Sequence, residues 1–288
     1  MNSVIFAGGT GRRLWPLSRK ASPKQFEPII GERSTVQLAF DRVASQHDPD
    51  KIFVSTNERY VGMLQEQLPE LADENFIGEP ARRDLAAAVG LAMVHVRNRS
   101  GDDEPVAIIW GDNYMTEPGT FHELLAAAET ILLEDKAEIV FIGETPRFAN
   151  DNLGWIELGQ EQGKVDSGAF YGFCSWIYRP PLEECRRMFE EGGYVWNTGY
   201  FVTTPGFVLE AYKRYQPAMW KDLMRIGEGL TAGEYRERLR ELYPHLAVES
   251  FDDAVVRHIS PDDAVVLHGH MGWSDPGTLY ALKEAIDP

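Results

Sequence analysis

The sequence predicts an α/β fold in which a mixed, mainly parallel central sheet is flanked by helices. Through the first half of the chain, short apolar runs alternate with longer amphipathic stretches, as in βαβ units. After about residue 145, aromatic segments punctuated by glycine replace this pattern and indicate a smaller β-rich lobe. No linker or low-complexity tract separates the two parts, so we expect one domain over residues 1–288, with halves at about 1–145 and 146–288.

The first half should contain buried strands and the helices that connect them. Strands are expected where a few apolar residues run together, and helices where apolar residues recur at three-and-four spacing, as in Phe121, Leu124 and Leu125. The predicted strands are 4–7, 52–55, 106–110 and 139–142, and the predicted helices are 36–45, 84–96 and 121–133.

The second half should begin with strands and continue with helices. Glycine-punctuated aromatic runs predict antiparallel or edge strands, and the amphipathic stretches after them predict helices. The predicted strands are 154–158, 169–177, 194–204 and 264–267, the predicted helices are 206–214, 217–226 and 232–242, and a short helix should close the chain.

The composition excludes several classes of partner. A formal net charge of -17 would repel nucleic acid and anionic membranes. No apolar run approaches the roughly 18 to 20 residues that span a bilayer, and no basic segment precedes an apolar one at the N-terminus, so we expect a cytoplasmic protein. Cys174 and Cys185 lack CxxC spacing, and we expect both to be buried thiols.

The stretch AGGTGRRLWPLSRKASPKQF, residues 7–26, combines glycines with the densest basic cluster of the chain. A strand that ends in Gly8, Gly9 and Gly11 exposes backbone N–H groups without a blocking Cβ, and Arg13 and Lys24 add positive charge. The run is not a P-loop, because no GK[ST] follows its last glycine. It is not a dinucleotide fingerprint either, because Leu14 stands where the third glycine of that motif belongs. A tight turn is the alternative, but the added cations favour anion binding.

The run GGTGRRLWPLSRKASPKQF resembles the sugar-1-phosphate nucleotidyltransferases, and most closely the mannose-1-phosphate guanylyltransferases. Their signature is GGxGTRLWPLSR followed by PKQF, and Arg12 stands here where threonine is usual. The resemblance implies a Rossmann-like nucleotide-diphospho-sugar transferase fold with a sugar-binding lobe. It also implies that Arg13 meets the triphosphate, that Lys24 neutralises phosphate charge, and that a glycine loop embraces the nucleotide; the loop consists of Gly8, Gly9, Thr10 and Gly11.

A second segment resembles the same family. GEPARRDLAAAVGLA, residues 78–92, is similar to the family's EPxxRNTAPAI, which lies beside the nucleotide. Glu79 and Arg83 match and are therefore implied to bind nucleotide, whereas Asp84 replaces the usual asparagine. The alternative is an ordinary helix start with Asp84 as its N-cap, and both can hold together.

Two aspartates are candidate Mg²⁺ ligands. Asp112 follows a predicted buried strand in IIWGDNYM, a usual place for a carboxylate that binds this hard cation. Asp275 lies in GWSDPGTLYAL, which resembles the family's GWxDVGSWxAL. The pairing of the two aspartates is implied by the resemblance.

The sugar half departs from the family in one motif. GGYVWNTGYFV resembles GGYxWNSGMF, in which the asparagine, here Asn197, binds the sugar, and NLGWIELG is similar to GYGYIxxG at Gly154. The family's FxEKP falls at WIYRP, where Tyr178 and Arg179 replace glutamate and lysine. Arg179 can still bind a phosphate, but Tyr178 lacks the paired acceptors of a carboxylate, which leaves the sugar open.

The resemblance implies an enzyme that transfers GMP from GTP to mannose 1-phosphate, giving GDP-mannose and pyrophosphate with Mg²⁺ as cofactor. Two alternatives stay open: the same chemistry with another sugar or base, and a non-catalytic homologue that binds nucleotide or sugar. The expected partners are a nucleoside triphosphate and a sugar 1-phosphate. Neither nucleic acid nor a membrane is expected, and a homodimer is possible.

Overall fold

The protein is represented by a computed structural model that describes residues 1–9, 23–28, 31–166 and 168–276. The short helix expected at the end of the chain lies outside these residues. In the described part, the strands are β1 (Asn2–Phe6), β2 (Ile52–Asn57), β3 (Phe76–Glu79), β4 (Val106–Trp110), β5 (Ile139–Glu144), β6 (Gly154–Val165), β7 (Gly168–Ile177), β8 (Tyr194–Thr203) and β9 (Ala264–Gly269). The α-helices are α1 (Thr35–Ala44), α2 (Val61–Gln67), α3 (Asp84–Ser100), α4 (Pro118–Leu133), α5 (Leu182–Glu191), α6 (Pro205–Tyr215), α7 (Pro217–Ala232), α8 (Tyr235–Leu242) and α9 (Phe251–Ala254).

The predicted α/β class and its strands are confirmed. The strand ends differ by no more than two residues, except that β6 continues to Val165 instead of ending at residue 158. The sequence did not predict β3, α2, α5 or α9. The predicted helix over 232–242 is wrong at its start, because α7 continues to Ala232 and Gly233 ends it in the left-handed conformation, with φ of 76°. A new helix then begins at Tyr235. Glycine adopts that conformation without steric cost, so it is a common helix stop.

The chain divides into two compact units, of which the first comprises Met1–Gly8, His47–Val106 and Thr203–Ile259. Its strands run in the order β3-β2-β1, all parallel. Helix α3 packs against α6 and α7. A Cβ at Gly90 of that helix would collide with Leu223, so glycine permits the close approach of α7.

The second unit comprises the described residues of Gly9–Gln46, Ala107–Val202, and the chain from Ser260 onward. Its strands run in the order β4-β8-β5-β9-β7-β6, with a further pairing between β6 and β8. Strands β5 and β9 are parallel, whereas β6 pairs antiparallel with β7 and β8. A core cluster of Trp155, Cys185, Met188 and Trp196 lies under these strands. The assignment of all 288 residues to one catalytic domain stays a prediction.

Two expectations from composition concern membrane-spanning segments and the two cysteines. Among the described helices, none is both long and apolar enough to cross a bilayer. Cys185 is a buried free thiol, as expected, and burial raises its pKa. Cys174 is exposed, so the expectation that both thiols are buried is wrong for this residue. It lies at a register shift between β6 and β7, where Ser175 pairs with Glu157 and Phe173 pairs with Leu158, so the strand is irregular at this residue.

Candidate active site

Lys24 is a buried cation held between two carboxylates. Its ammonium Nζ lies 2.7 Å from Asp112 Oδ2 and 3.8 Å from Asp275 Oδ1. The lysine is only 5% exposed, whereas each aspartate side chain is 35% exposed. A buried ammonium without a partner would be strongly disfavoured, and the two carboxylates offset that cost. Three side chains that are far apart in the sequence thus meet at one point of the second unit.

A short turn places Lys24. The residues Lys24–Phe26 form a 3₁₀ turn after Pro23, and this turn packs against α1. Phe26 is buried, and Gln25 is also buried. Because proline fixes its own φ and the phenyl ring anchors the far end, the turn holds the lysine stem inward.

The two aspartates lie on loops that are hydrogen-bonded to each other. Asp112 follows the end of β4, and Asp275 lies beyond β9. An isolated antiparallel bridge joins the loops: Tyr114 N donates to Ser274 O over 3.1 Å, and Ser274 N donates to Tyr114 O over 2.9 Å. The two loops are therefore connected by backbone hydrogen bonds beside the aspartates, and the pairing of Asp112 with Asp275 as metal ligands stays a prediction.

The donor set at this point fits Mg²⁺. Two carboxylates, Asp112 and Asp275, offer hard oxygen ligands and are partly open to solvent. Within the described ranges, no group of three or more His, Cys, Asp or Glu residues is arranged to hold a metal. Mg²⁺ is usually bound by one or two carboxylates together with waters and substrate phosphates, so two protein ligands suffice.

The nucleotide-binding candidates Gly8 and Glu79 lie together in the first unit. A Cβ placed at Gly8, just after β1, would lie 3.6 Å from Glu79 Oε1. Glu79 ends β3, is 9% exposed, and its Oε2 accepts a 2.7 Å hydrogen bond from Tyr243 Oη. Burial raises the pKa of the Glu79 carboxyl, and the hydrogen bonds from Tyr243 and Ser55 oppose that rise. Glu79 is thus a buried, hydrogen-bonded carboxyl group beside Gly8.

The remainder of the glycine loop is only partly described. Gly9 is exposed, and its carbonyl oxygen accepts a 2.6 Å hydrogen bond from Gln25 Nε2. This bond ties the start of the loop to the turn that carries Lys24. Thr10, Gly11 and Arg13 lie outside the described residues.

Arg83 stands at the N-terminus of α3. Its Nε is buried and has no hydrogen-bond partner among the residues that the structure describes, so it retains a donor for a ligand. The prediction that Asp84 caps this helix is wrong, because the N-cap position belongs to Arg83. Asp84 has φ of 64°, and its Oδ1 accepts from the adjacent Leu85 N instead of from a later turn residue.

Two of the sugar-binding candidates face each other across a strand pair. Gly154 on β6 is paired with Asn197 on β8. Asn197 Oδ1 accepts a 2.9 Å hydrogen bond from Gly199 N, which fixes the amide. Its Nδ2 lies 3.7 Å from the position of a Cβ at residue 154, so glycine leaves the amide donor uncovered on that side.

Arg179, the third sugar-binding candidate, lies in the loop after β7. Its φ is 44°, and its guanidinium lies 5.4 Å from the ring centre of Tyr178, which is 65% exposed. Tyr178 contacts Trp176 with 5.7 Å between ring centres, and the indole Nε1 of Trp176 lies 3.1 Å from the Cβ position of Gly154. A row of aromatic rings therefore connects Arg179 to the Gly154–Asn197 pair.

Sequence reasoning missed Glu144 and Arg147. Glu144 is fully buried and accepts hydrogen bonds from Arg147 Nη1 over 2.7 Å and from Met271 N over 2.9 Å. Burial raises the pKa of its carboxyl, while the backbone donors and Arg147 oppose that rise. The available signal was a glutamate at the end of an otherwise apolar strand, where a charge requires a partner.

Comparisons with known proteins show the family of the chain. The family described as nucleotidyl transferase matches residues 2–287. The chain is 30% identical over 292 residues to mannose-1-phosphate guanylyltransferase 2 of Escherichia coli O157:H7, covering 97% of this chain and 58% of that protein. It is 30% identical over 289 residues to mannose-1-phosphate guanylyltransferase of E. coli strain K12, covering 98% of this chain and 59% of that protein. The chain thus spans less than two thirds of the length of these relatives.

A solved structure from Thermus thermophilus has a similar fold. It is described as a mannose-1-phosphate geranyltransferase and superposes with a TM-score of 0.85 at 26% identity, covering 100% of this chain and 79% of that chain. This similarity over the whole chain confirms the predicted Rossmann-like fold.

Proposed function

Because the chain belongs to the nucleotidyl transferase family, we propose that it transfers the GMP moiety of GTP to mannose 1-phosphate, giving GDP-mannose and pyrophosphate. The observation that carries the proposal is the meeting of Lys24, Asp112 and Asp275 at one point. A cation for phosphate charge and two carboxylates for a metal are what nucleotidyl transfer requires. The choice of GTP and mannose 1-phosphate is supported by the names of the E. coli relatives.

The proposed reaction needs positioning and charge stabilisation more than it needs a base. A phosphate oxygen of the sugar 1-phosphate attacks the α-phosphorus of GTP, and the bond from that phosphorus to the oxygen leading to the β-phosphorus breaks. The attacking oxygen is already ionised at neutral pH, because phosphate monoesters lose their second proton near pH 6. Catalysis then depends on aligning two anions and offsetting their charge.

Each candidate residue has a role in this proposal. Lys24, and Arg13 by its motif, would offset negative charge on the phosphates. Gly8 to Gly11 would admit the nucleotide, with Glu79 and Arg83 beside it. Gly154, Asn197 and Arg179 would bind the sugar 1-phosphate. Asp112 and Asp275 would hold Mg²⁺, which when bound supplies a Lewis acid that neutralises and orients the reacting phosphates.

A second candidate is the same transfer to a different sugar 1-phosphate. Tyr178 favours it, because an exposed phenol stands where the resemblance to the family implies a carboxylate that accepts hydrogen bonds from the sugar. A site built around hydrogen bonds discriminates strongly when one partner is missing. We further propose a cytoplasmic location and keep a homodimer as a prediction.

The test is pyrophosphate release measured across a panel of nucleoside triphosphates and sugar 1-phosphates with Mg²⁺. GTP with mannose 1-phosphate should give the highest kcat/KM, whereas a different preferred pair supports the second candidate. No release with any pair, together with nucleotide binding by calorimetry, would indicate a non-catalytic homologue and overturn the proposal.

The metal assignment has its own test. We expect Asp112→Asn and Asp275→Asn each to lower kcat/KM by about 100-fold or more, since a stabilising group at the reacting phosphates is lost. Asp262→Asn is the matched control, because Asp262 is an exposed aspartate of the same unit. Circular dichroism should show each variant folded. Wild-type turnover in either site variant would contradict the assignment.

A further inference from the structure

Glu144 is a buried carboxylate at the point where two paired strands separate. It is the last residue of β5, and it is paired with Gly269, the last residue of β9. Its relative exposure is 0%. A carboxylate at such a position is expensive, because charge is removed from water. An apolar side chain would fill the same space without that cost, so the partners of Glu144 indicate what it does.

The partners of Glu144 belong to the segment that leads from β9 to Asp275. Glu144 Oε2 accepts from Met271 N over 2.9 Å and from Trp273 N over 3.4 Å. Beyond the last strand pair, a side chain therefore takes over as acceptor for alternate backbone N–H groups of the departing chain.

Arg147 binds the other oxygen of the Glu144 carboxylate. Its Nη1 donates to Glu144 Oε1 over 2.7 Å, and its Nη2 donates to Trp273 O over 3.0 Å. Its guanidinium also lies 5.1 Å from the ring centre of Trp196, the residue before Asn197. The arginine thus opposes the rise that burial causes in the Glu144 pKa, and it holds the same backbone segment by its carbonyl.

The opposite side of the segment is fixed by the loop that carries Asp112. Glu117 N donates to Met271 O over 2.9 Å, and Tyr114 exchanges two hydrogen bonds with Ser274. At Gly272, φ is 61° and a Cβ would collide with Thr116 Oγ1, so no larger residue fits there. The backbone is therefore held from both sides up to the residue before Asp275.

We propose that Glu144 is a positioning residue for Asp275: its carboxylate fixes the backbone of residues 271–273 so that the Asp275 carboxylate stays beside Asp112 and Lys24. The proposal rests on the metal site of the proposed function. Groups that orient metal ligands from outside the coordination shell commonly change metal affinity by about 10–100-fold when they are removed. Glu144 acts here through the backbone and does not touch the reacting atoms.

The test measures two properties of Glu144→Leu and Glu144→Gln. The first is the affinity for Mn²⁺ alone, titrated by electron paramagnetic resonance without substrates. The second is amide hydrogen exchange of Met271 and Trp273. Leucine removes both acceptors, so we expect weaker Mn²⁺ binding by about tenfold or more and faster exchange at both amides. Glutamine keeps one acceptor for the backbone, so it should restore the affinity to within about threefold of the wild type.

Controls separate this inference from the metal assignment itself. Glu157→Leu removes a partly buried carboxylate of the same unit that accepts from Ser175 Oγ, and it should leave Mn²⁺ affinity unchanged. If Asp275→Asn binds Mn²⁺ as tightly as the wild type, the metal assignment and this inference both fall. If Asp275→Asn binds weakly but folded Glu144→Leu binds normally, the inference alone is overturned.

Arg147→Met gives the same test if Glu144→Leu does not fold. The Arg147 side chain is 40% exposed, so its truncation leaves no cavity in the core. We expect faster exchange at Trp273 and a few-fold weaker Mn²⁺ binding. Unchanged exchange and unchanged affinity in this variant would overturn the proposal.

Discussion

At the scale of single residues, the position of Lys24 is explained by charge. The 3₁₀ turn after Pro23 buries the lysine stem, and the ammonium then lies beside Asp112 and Asp275. Each carboxylate lowers the cost of burying the cation, and the cation reduces the repulsion between the carboxylates. The same ammonium competes with any metal ion for the two carboxylates.

Lys24→Met should therefore separate metal binding from turnover. We expect the variant to bind Mn²⁺ more tightly, by several-fold, because a competing positive charge is gone. Its kcat/KM should fall by about 100-fold, since the charge on the phosphates is no longer offset. Lys24→Arg, which keeps the charge, is the matched comparison, with Mn²⁺ affinity followed by electron paramagnetic resonance. Weaker Mn²⁺ binding in Lys24→Met would contradict this account.

The sequence identifies these three residues as candidates for the site, but it does not show that their side chains lie in contact. Lys24, Asp112 and Asp275 lie in motifs that a resemblance identifies, whereas their meeting depends on how the turn after Pro23 and the loops beyond β4 and β9 come together in the fold. Glu144 was missed for a related reason. Its role depends on which backbone N–H groups lie nearby after folding, and no local pattern encodes that.

At the scale of elements, the sequence predicted strands and helices that have a clear apolar pattern, and it missed short elements that lack one. Strand β4 was predicted to the residue, because five apolar residues stand between Pro105 and Gly111, two residue types that commonly interrupt strands. Strand β3 was missed, because its four residues FIGE carry no clear alternation and run directly into Pro80. The break between α7 and α8 depends on a left-handed Gly233, which an amphipathic pattern does not reveal.

The contact between α3 and α8 gives a pH-dependent term in stability. His95 of α3 forms a 2.8 Å hydrogen bond with Tyr235 Oη at the start of α8, and their rings meet edge to face at 5.0 Å. Burial lowers the pKa of His95 from 6.5 to about 4. Between these pH values the unfolded chain binds the proton and the folded chain does not, so stability is full above pH 6.5 and declines as the pH falls toward 4.

His95→Gln should remove this decline. Relative to the variant, the wild type should lose roughly 2–3 kcal/mol of unfolding free energy between about pH 7 and pH 4. Urea unfolding at several pH values measures the difference in slope. His245→Gln is the control, because His245 is exposed. Parallel pH profiles for the wild type and His95→Gln would show that the histidine is not held neutral.

At the scale of the whole molecule, the dominant electrostatic property is the net charge of -17. Like charges at the surface repel one another in the folded state more than in the expanded unfolded chain. Salt shortens the range of this repulsion from about 30 Å at 0.01 M to about 8 Å at 0.15 M. Ionic strength should therefore stabilise the protein as a whole.

We expect the Tm to rise by about 2–4 °C between about 0.01 and 0.15 M NaCl, as a stabilisation of about 1 kcal/mol gives for a chain of this size class. Differential scanning calorimetry measures the shift. Choline chloride should give the same rise, since screening does not depend on the identity of the cation. A Tm that stays constant or falls with salt would show that local ion pairs outweigh the general repulsion.

The trio of Lys24, Asp112 and Asp275 also determines the polarity of the site. One positive and two negative side chains leave a single net negative charge, which opposes the approach of a triphosphate. A divalent cation bound to the carboxylates would reverse that sign and leave a single net positive charge. The bound ion would then attract the nucleotide instead of leaving a charge that repels it, so the nucleotide should enter after the ion or together with it.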